Sequence, residues 1–220
     1  DQTHQGKFVI EQGEEKQGQI KLTSGTHTLK EDWEVQGKNF IVEGATVTGQ
    51  LTQGLTFKNG IINNLTIAEE GELILEDTIR SGDKLVTGKL ENQGTINYTN
   101  QDSFDNRSTS PLKIGSDSEQ AVINNSGTFE LIGRFAHLTS NGDNQEQEFN
   151  NSGTLKRSGS RTSEIKIPFT NTGTVEVSEG TLEFSDQNYT QTAGTTRLND
   201  SKLSFSDSEF DLEGGILEGT

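Results

Sequence analysis

The chain repeats a short phrase: apolar, any, Asn, any, Gly, Thr, apolar, any, apolar. The copies are LENQGTINY, INNSGTFEL, FNNSGTLKR, FTNTGTVEV and YTQTAGTTRL. Their glycines are Gly94, Gly127, Gly153, Gly173 and Gly194, with a looser copy at Gly215. The spacing between glycines shortens along the chain and becomes regular from Gly153 onward. A period of roughly 20 residues without a helical pattern inside it is typical of a β-solenoid, in which each repeat forms one coil.

Apolar side chains alternate with polar ones on both sides of the Asn-x-Gly turn, which is the periodicity of a β-strand. A further strand follows in the regular coils, because Leu182 and Phe184 recur as Leu203 and Phe205. We therefore predict an all-β fold, a single-stranded right-handed parallel β-helix with roughly 20–21 residues and three short strands per coil. The inward positions expected from the alternation are Leu90, Ile123, Phe149, Phe169 and Tyr189 before the turn, and Ile96, Phe129, Leu155, Val175, Thr196, Tyr98, Leu131, Arg157, Val177 and Leu198 after it.

The turn between two strands is the most regular part of the repeat. We predict structural turns at Asn125, Gly127, Asn151, Gly153, Asn171, Gly173 and Gly194. Glycine adopts positive φ at no steric cost, so we expect positive φ at Gly153 and Gly173. The stacked asparagines are expected to form a hydrogen-bonded ladder from coil to coil.

The repeat sets the expected domain organisation. We predict one solenoid over residues 1–220, with an N-terminal cap and the first coils in 1–40 and regular repeats in 90–220. Two polar segments, Thr99–Ala121 and Gly133–Glu148, are interpreted as insertions that project from the rod as loops. The final stretch, FDLEGGILEGT, resembles the middle of another coil, and we expect the solenoid to continue beyond Thr220.

Charge and composition exclude several classes of partner. The net charge of -16 argues against nucleic acid, because phosphate binding requires clustered Lys and Arg. Since no run of about 18 apolar residues occurs, we expect no membrane insertion. The chain contains no Cys, which excludes disulfides and thiolate metal sites, and we expect no cofactor.

Candidate sites are few. We predict no metal site, and the best local candidate for one is a calcium site at Asp207, Glu209 and Asp211, which share one face if they lie on a strand. The alternative for these acids is a solvated charged face. In the two polar segments, the candidates for binding a glycan or a protein partner are Phe104, Arg107, Arg134 and His137. The alternative is that these segments are loops without a binding function. We predict no catalytic residues, because no focused pair of carboxylates stands out in the sequence.

The chain from about residue 90 to residue 220 resembles the degenerate repeats of very large bacterial surface or secreted proteins of the adhesin type. Those repeats contain N-x-G-T, G-T-L-x-F, Q-x-A-G-T-T and G-G-x-L-x-G. The matching residues are Asn171, Gly173, Thr174, Gly180, Thr181, Leu182, Gln191, Ala193, Gly194, Gly214, Gly215 and Gly219. The resemblance implies a parallel β-helix and a non-catalytic structural or adhesive role at the bacterial cell surface or outside the cell. We expect the partner to be a glycan or a protein of a host or neighbouring cell surface. The alternative is a polysaccharide lyase, a glycosidase or a tailspike-like glycan-processing β-helix.

Overall fold

The computed structural model describes residues 2–4, 7–9, 20–31, 34–36, 40–77, 82–100, 110–116, 120–142 and 147–219. These residues form strands and turns, with no helix among them. The strands are β1 (Gln2–His4), β2 (Lys7–Val9), β3 (Ile20–Leu22), β4 (Thr26–Leu29), β5 (Glu34–Gln36), β6 (Phe40–Leu51), β7 (Gly54–Ile67), β8 (Glu72–Asp77), β9 (Lys84–Asn92), β10 (Thr95–Asn100), β11 (Leu112–Ile114), β12 (Ala121–Asn125), β13 (Thr128–Leu131), β14 (Leu138–Ser140), β15 (Gln147–Asn151), β16 (Thr154–Arg157), β17 (Thr162–Lys166), β18 (Phe169–Asn171), β19 (Thr174–Val177), β20 (Thr181–Ser185), β21 (Tyr189–Gln191), β22 (Thr195–Leu198), β23 (Lys202–Ser206), β24 (Phe210–Leu212) and β25 (Ile216–Gly219).

The strands stack in three parallel ladders along one axis. Ladder 1 contains β8, β10, β13, β16, β19, β22 and β25. Ladder 2 contains β11, β14, β17, β20 and β23, and ladder 3 contains β12, β15, β18, β21 and β24. The chain visits the ladders in the same cyclic order on every turn, so the architecture is the predicted parallel β-helix.

One compact coil shows the path of the chain. Strand β18 lies in ladder 3, and a short corner leads to β19 in ladder 1. The chain then enters β20 in ladder 2 and returns to ladder 3 at β21. Phe169 pairs with Tyr189, so this coil has the length of the sequence repeat and contains the three short strands that the alternation predicts.

One coil near the N-terminus is shorter than the sequence repeat. Ile41 already pairs with Thr56, whereas the chain runs from Val175 as far as Thr196 before the corresponding pair forms. Strands β6 and β7 each run through all three ladders without a break, bending at glycines such as Gly44 and Gly60, whose φ angles are +103° and +122°. Positive φ lets a single glycine turn the corner, so the coil from Ile41 to Thr56 needs fewer residues.

Alternating side chains fill the inside of the rod. The expected inward positions are buried, with Leu198 half-buried near the C-terminal end. Aromatic rings stack along ladder 3: the centroid distances are 5.1 Å from Phe149 to Phe169, 5.0 Å from Phe169 to Tyr189 and 4.8 Å from Tyr189 to Phe210. Edge-to-face and tilted pairs at this separation add to the stabilisation from burial.

The two polar segments are not loops throughout, and this corrects the sequence interpretation. Strands β11 and β14 lie inside them and supply ladder 2, with Leu112 paired to Leu138 and both side chains buried. Ile114 and Ala136 are buried too. Strands as short as these, set between polar turns, show too little alternation to be recognised from sequence. Residues 101–109, 117–119 and 143–146 lie outside the described part of the chain.

Strands β1, β3 and β4 of the N-terminal region belong to the same sheet as the coils that follow. Strand β3 pairs with Phe40–Val42, and β4 pairs with residues 46–49 of β6. Strand β1 pairs with β4 in turn. Strands β2 and β5 form a separate two-stranded parallel sheet. The predicted cap over residues 1–40 therefore contains parallel coil strands.

Candidate functional site

Buried amides run along the corner between ladders 3 and 1. We call Asn92, Asn125, Asn151, Asn171 and Gln191 the amide column. Each amide donates to the side-chain oxygen of the next: the distances are 2.6, 2.7, 2.7 and 3.3 Å. The side-chain amides of Asn92, Asn125 and Asn151 also donate to backbone carbonyl oxygens in the next coil. Their acceptors are Thr128, Thr154 and Thr174 respectively, at 3.0 Å each. All donations point the same way, so neighbouring dipoles polarise one another.

The glycines of the repeat form a second column beside the amides. We call Gly94, Gly127, Gly153, Gly173, Gly194 and Gly215 the glycine column. A Cβ on Gly153 would overlap the carbonyl oxygen of Gly127, and a Cβ on Gly173 would overlap that of Gly153. Neither Gly153 nor Gly173 has positive φ, so the expected reason for these glycines is wrong. They are required because the backbone of the preceding coil leaves no room for a side chain. Gly194 and Gly215 combine the same crowding with φ of +73° and +86°.

The amide column ends in a buried polar group around Tyr189. The Tyr189 hydroxyl bonds to Oε1 of Gln191 at 3.0 Å and to the hydroxyl of Thr196. Burial raises the pKa of Tyr189 to about 12, although the hydrogen bonds from Thr196 and Asn171 oppose the shift. Nε2 of Gln191 donates to the carbonyl oxygen of Ile216 at 3.1 Å. The phenol is therefore neutral at physiological pH.

Arg157 is a fully buried cation at the corner between ladders 1 and 2. Its guanidinium donates to the carbonyl oxygens of Leu131 at 2.8 Å, Gly133 at 2.5 Å and Arg161 at 2.7 Å, and more weakly to that of Arg134 at 3.3 Å. Burial lowers its pKa to about 10, opposed by the charge of Glu179. Arg157 is therefore charged at neutral pH and ties together the corners of two coils.

Of the four candidate loop residues, the structure describes Arg134 and His137. Arg134 contributes its carbonyl oxygen to Arg157. Nδ1 of His137 accepts a hydrogen bond from the Glu164 backbone at 3.0 Å, and its ring stacks on Phe135 at 6.1 Å. His137 is thus held by structural contacts. Phe104 and Arg107 lie outside the described residues.

The calcium candidates do not share a strand face. Asp207 lies in a turn with φ of +50°, Glu209 follows it before the strand, and Asp211 lies on β24. All three are exposed. Across the residues that the structure describes, no group of three or more His, Cys, Asp or Glu is placed to hold a metal ion.

A groove of about 390 Å³ follows the outside of the rod next to the amide column. One wall is formed by outward residues of ladder 3, and the other by the middle residues of the Asn-x-Gly corners. We call it the polar groove; it is lined by Glu91, Gln93, Asn124, Ser126, Asn150, Asn151, Ser152, Thr170 and Thr172. Asn124 donates to Glu91 at 2.9 Å and Asn150 donates to Asn124 at 3.2 Å. Amide and hydroxyl groups thus repeat at the coil spacing, about 4.8 Å.

Charges of alternating sign follow the outside of ladder 1. We call Glu130, Lys156, Glu176, Arg197 and Glu218 the charge column; consecutive members are register partners. Lys156 lies 3.5 Å from Glu130, and Nε of Arg197 lies 2.5 Å from Glu218. Opposite charges on adjacent strands stabilise the pairing modestly and disfavour a slipped register.

The sequence interpretation missed the polar groove and the charge column. Both consist of residues separated by whole coils, and the signal was available once the repeats were aligned at their glycines. The inward position of Arg157 was predicted, but its carbonyl partners were not, because they come from turns whose shape the repeat does not specify.

No family model matches the chain, and the searches of curated proteins and of solved structures give no match either. No helix among the described residues is long and apolar enough to cross a membrane.

Proposed function

We propose that this chain is a non-catalytic structural and adhesive β-helical segment of a larger bacterial cell-surface or secreted protein. The observation that carries the proposal is the axial continuity of the rod. The amide column and the glycine column link successive coils from Asn92 to Gly215 through directed hydrogen bonds and close backbone contact. Such a rod is suited to holding a surface at a fixed distance.

The polar groove supports the adhesive part of the proposal. Its lining offers amide and hydroxyl groups and one carboxylate, Glu91, and includes no basic residue. This chemistry favours a neutral polyhydroxylated ligand over an anionic one. The groove spans four coils, or roughly 14 Å at the inter-strand spacing. A short stretch of a linear neutral glycan is therefore the partner that the groove fits best.

Binding to a panel of neutral and acidic glycans tests the adhesive role. We expect neutral glycans to bind, and the double variant Asn124→Ala/Asn150→Ala to weaken binding at least about tenfold with an unchanged melting temperature. The matched control is Asn97→Ala. Asn97 also donates to a glutamate, Glu72, at 2.8 Å, but it lies on ladder 1 outside the groove. Equal binding by the groove variant and the parent, or no binding to any glycan, contradicts the proposal.

An assay for polysaccharide cleavage distinguishes this proposal from the enzymatic alternative. The polysaccharide panel is incubated with the protein, and the release of shortened products is measured. A non-catalytic rod leaves the polymers intact. Product release that disappears on substitution of a single Asp or Glu identifies a lyase or hydrolase instead.

A further inference from the structure

A second groove lies on the outside of the rod in its first coils. We call it the N-terminal groove; its volume is about 550 Å³, and it is lined by residues 28–31, Gly49, Gln50 and Thr66. Thr66 faces outward, since Leu65 and Ile67 on either side of it are buried, and Gln50 is its register partner. The N-terminal groove therefore offers an amide and a hydroxyl group, as the polar groove does.

The strand register joins the two grooves. Thr66 of the N-terminal groove is the register partner of Glu91, which lines the polar groove. Register partners on adjacent strands lie about 4.8 Å apart. The two grooves therefore meet at the step from β7 to β9.

One outward column of residues passes through both grooves. We call it the axial track; followed from partner to partner, its members are Gln50, Thr66, Glu91, Asn124, Asn150 and Thr170. Each member is half-buried and lines one of the two grooves. The five inter-strand steps from Gln50 to Thr170 give the track a length of roughly 24 Å, against roughly 14 Å for the polar groove. Because the strands stack along the rod, the track runs parallel to the rod axis.

The charges along the track favour one class of polymer. Glu91 is the ionic member of the track, and it accepts a hydrogen bond from Asn124 at 2.9 Å. The N-terminal groove adds one cation and one anion, Lys30 and Glu31, whose charges cancel. A polyanion along the track would pass Glu91 without a basic residue in the polar groove to compensate it. The hydroxyl groups of a neutral glycan both donate and accept, which suits a column of amide, hydroxyl and carboxylate groups.

From the shared register we infer that one linear neutral glycan chain binds along the whole axial track, parallel to the rod, with the N-terminal groove as a second subsite for the same chain. This role of the track rests on the proposed function and extends it, because it states the length and direction of the ligand. A chain that fills both subsites binds the second one intramolecularly, so affinity rises steeply once the chain reaches from Thr170 to Gln50.

A series of chain lengths tests the inference. The probes are linear glucan, mannan and xylan oligosaccharides of increasing length, with polygalacturonate fragments as the acidic comparison. We expect the affinity of one of the neutral series to rise at least about tenfold as the chain grows from roughly 14 to roughly 24 Å, the lengths of the polar groove and of the track. A glycan that lies across the rod would reach its full affinity at a shorter length.

A double variant locates the gain in affinity. Gln50→Leu/Thr66→Val removes the polar groups from the N-terminal end of the track with little change in side-chain volume. We expect long chains to bind this variant at least about tenfold more weakly than the parent, short chains to bind both equally, and the melting temperature to stay the same. The matched control is Thr46→Val/Thr56→Val, which changes half-buried residues of the same two strands outside both grooves.

The outcomes separate this inference from the proposed function. Affinity that levels off at the length of the polar groove, or long chains that bind the Gln50→Leu/Thr66→Val variant as tightly as the parent, overturn the inference and leave the proposed function in place. A control variant that weakens binding equally also overturns it, because the effect is then not confined to the groove. Binding of short chains that is unaffected by Asn124→Ala/Asn150→Ala contradicts the proposed function itself, and absence of binding at every length contradicts both.

Discussion

The carbonyl oxygen of Gly153 occupies the space that a Cβ atom on Gly173 would need, one coil further along the rod. The same relationship holds between Gly127 and Gly153, and neither Gly153 nor Gly173 has positive φ. The repeat therefore keeps glycine at these corners because the coils approach closely, and conformational freedom is not the cause.

Gly173→Ala should destabilise the protein by on the order of 2–3 kcal/mol, because even a methyl group forces two stacked corners apart. Gly173→Asn should be at least as damaging, although Asn tolerates positive φ. The control is Gly54→Ala, since Gly54 has no positive φ and a Cβ there meets nothing within 4 Å. Denaturant unfolding of the three variants measures the difference. If Gly173→Asn destabilises the protein less than Gly173→Ala, the backbone φ angle at this position limits the choice of residue more than the space for a side chain does.

The sequence repeat predicts the parallel β-helix and its inward positions, but it does not predict every strand or the outer surface of the rod. The alternation of apolar and polar residues around the Asn-x-Gly turn identifies inward positions such as Phe149 and Val175. The buried face of a strand can be recognised from this alternation over a few neighbouring residues. The short strand Leu112–Ile114 was assigned to a loop, since its partner strand at Leu138 lies a whole coil away in the sequence. The short coil that begins at Ile41 turns at single glycines that carry no repeated phrase. The residues of the polar groove lie whole coils apart in the sequence, so they become visible as a group only when the repeats are aligned at their glycines.

Asn151→Ala should destabilise the protein by about 2–3 kcal/mol. The substitution removes the acceptor of Asn125 and the donor to Asn171 and to the Thr174 carbonyl, so buried polar groups lose partners. Asn150→Ala is the control, because that neighbouring side chain faces outward and is half-buried. We expect a loss below about 1 kcal/mol there, measured by denaturant unfolding. If both variants lose a similar free energy of unfolding, the hydrogen bonds of the amide column stabilise the protein no more than an ordinary polar contact on the surface.

Tyr189 should make the protein sensitive to alkaline pH. Its folded pKa is raised to about 12 from the usual 10, so the unfolded state releases its proton first. The contribution of the neutral phenol is complete below pH 10 and is lost as the pH rises from 10 to 12, by about 2 kcal/mol. The stability difference between the parent and Tyr189→Phe should therefore shrink over this range.

Absorbance titration provides the direct measurement for Tyr189. In the background Tyr98→Phe, Tyr189 is the remaining tyrosine, since the chain contains two. Its phenolate should form near pH 12 in the folded protein and near pH 10 in denaturant. A midpoint near 10 in the folded protein would contradict the buried hydrogen bonds to Gln191 and Thr196.

Arg157→Leu should destabilise the protein by roughly 2–4 kcal/mol, although Leu suits a ladder in which Leu131 and Val177 are the register partners of Arg157. The reason is that buried carbonyl oxygens, including those of Leu131 and Arg161, lose their donor. Hydrogen exchange should rise selectively at residues 132–134 and 159–161, the corners that the guanidinium joins. The control is Arg197→Leu on the same ladder, where the side chain is 50% exposed and the ion pair contributes little. If Arg157→Leu is as stable as that control, water replaces the guanidinium and the cation is not required to close the corner.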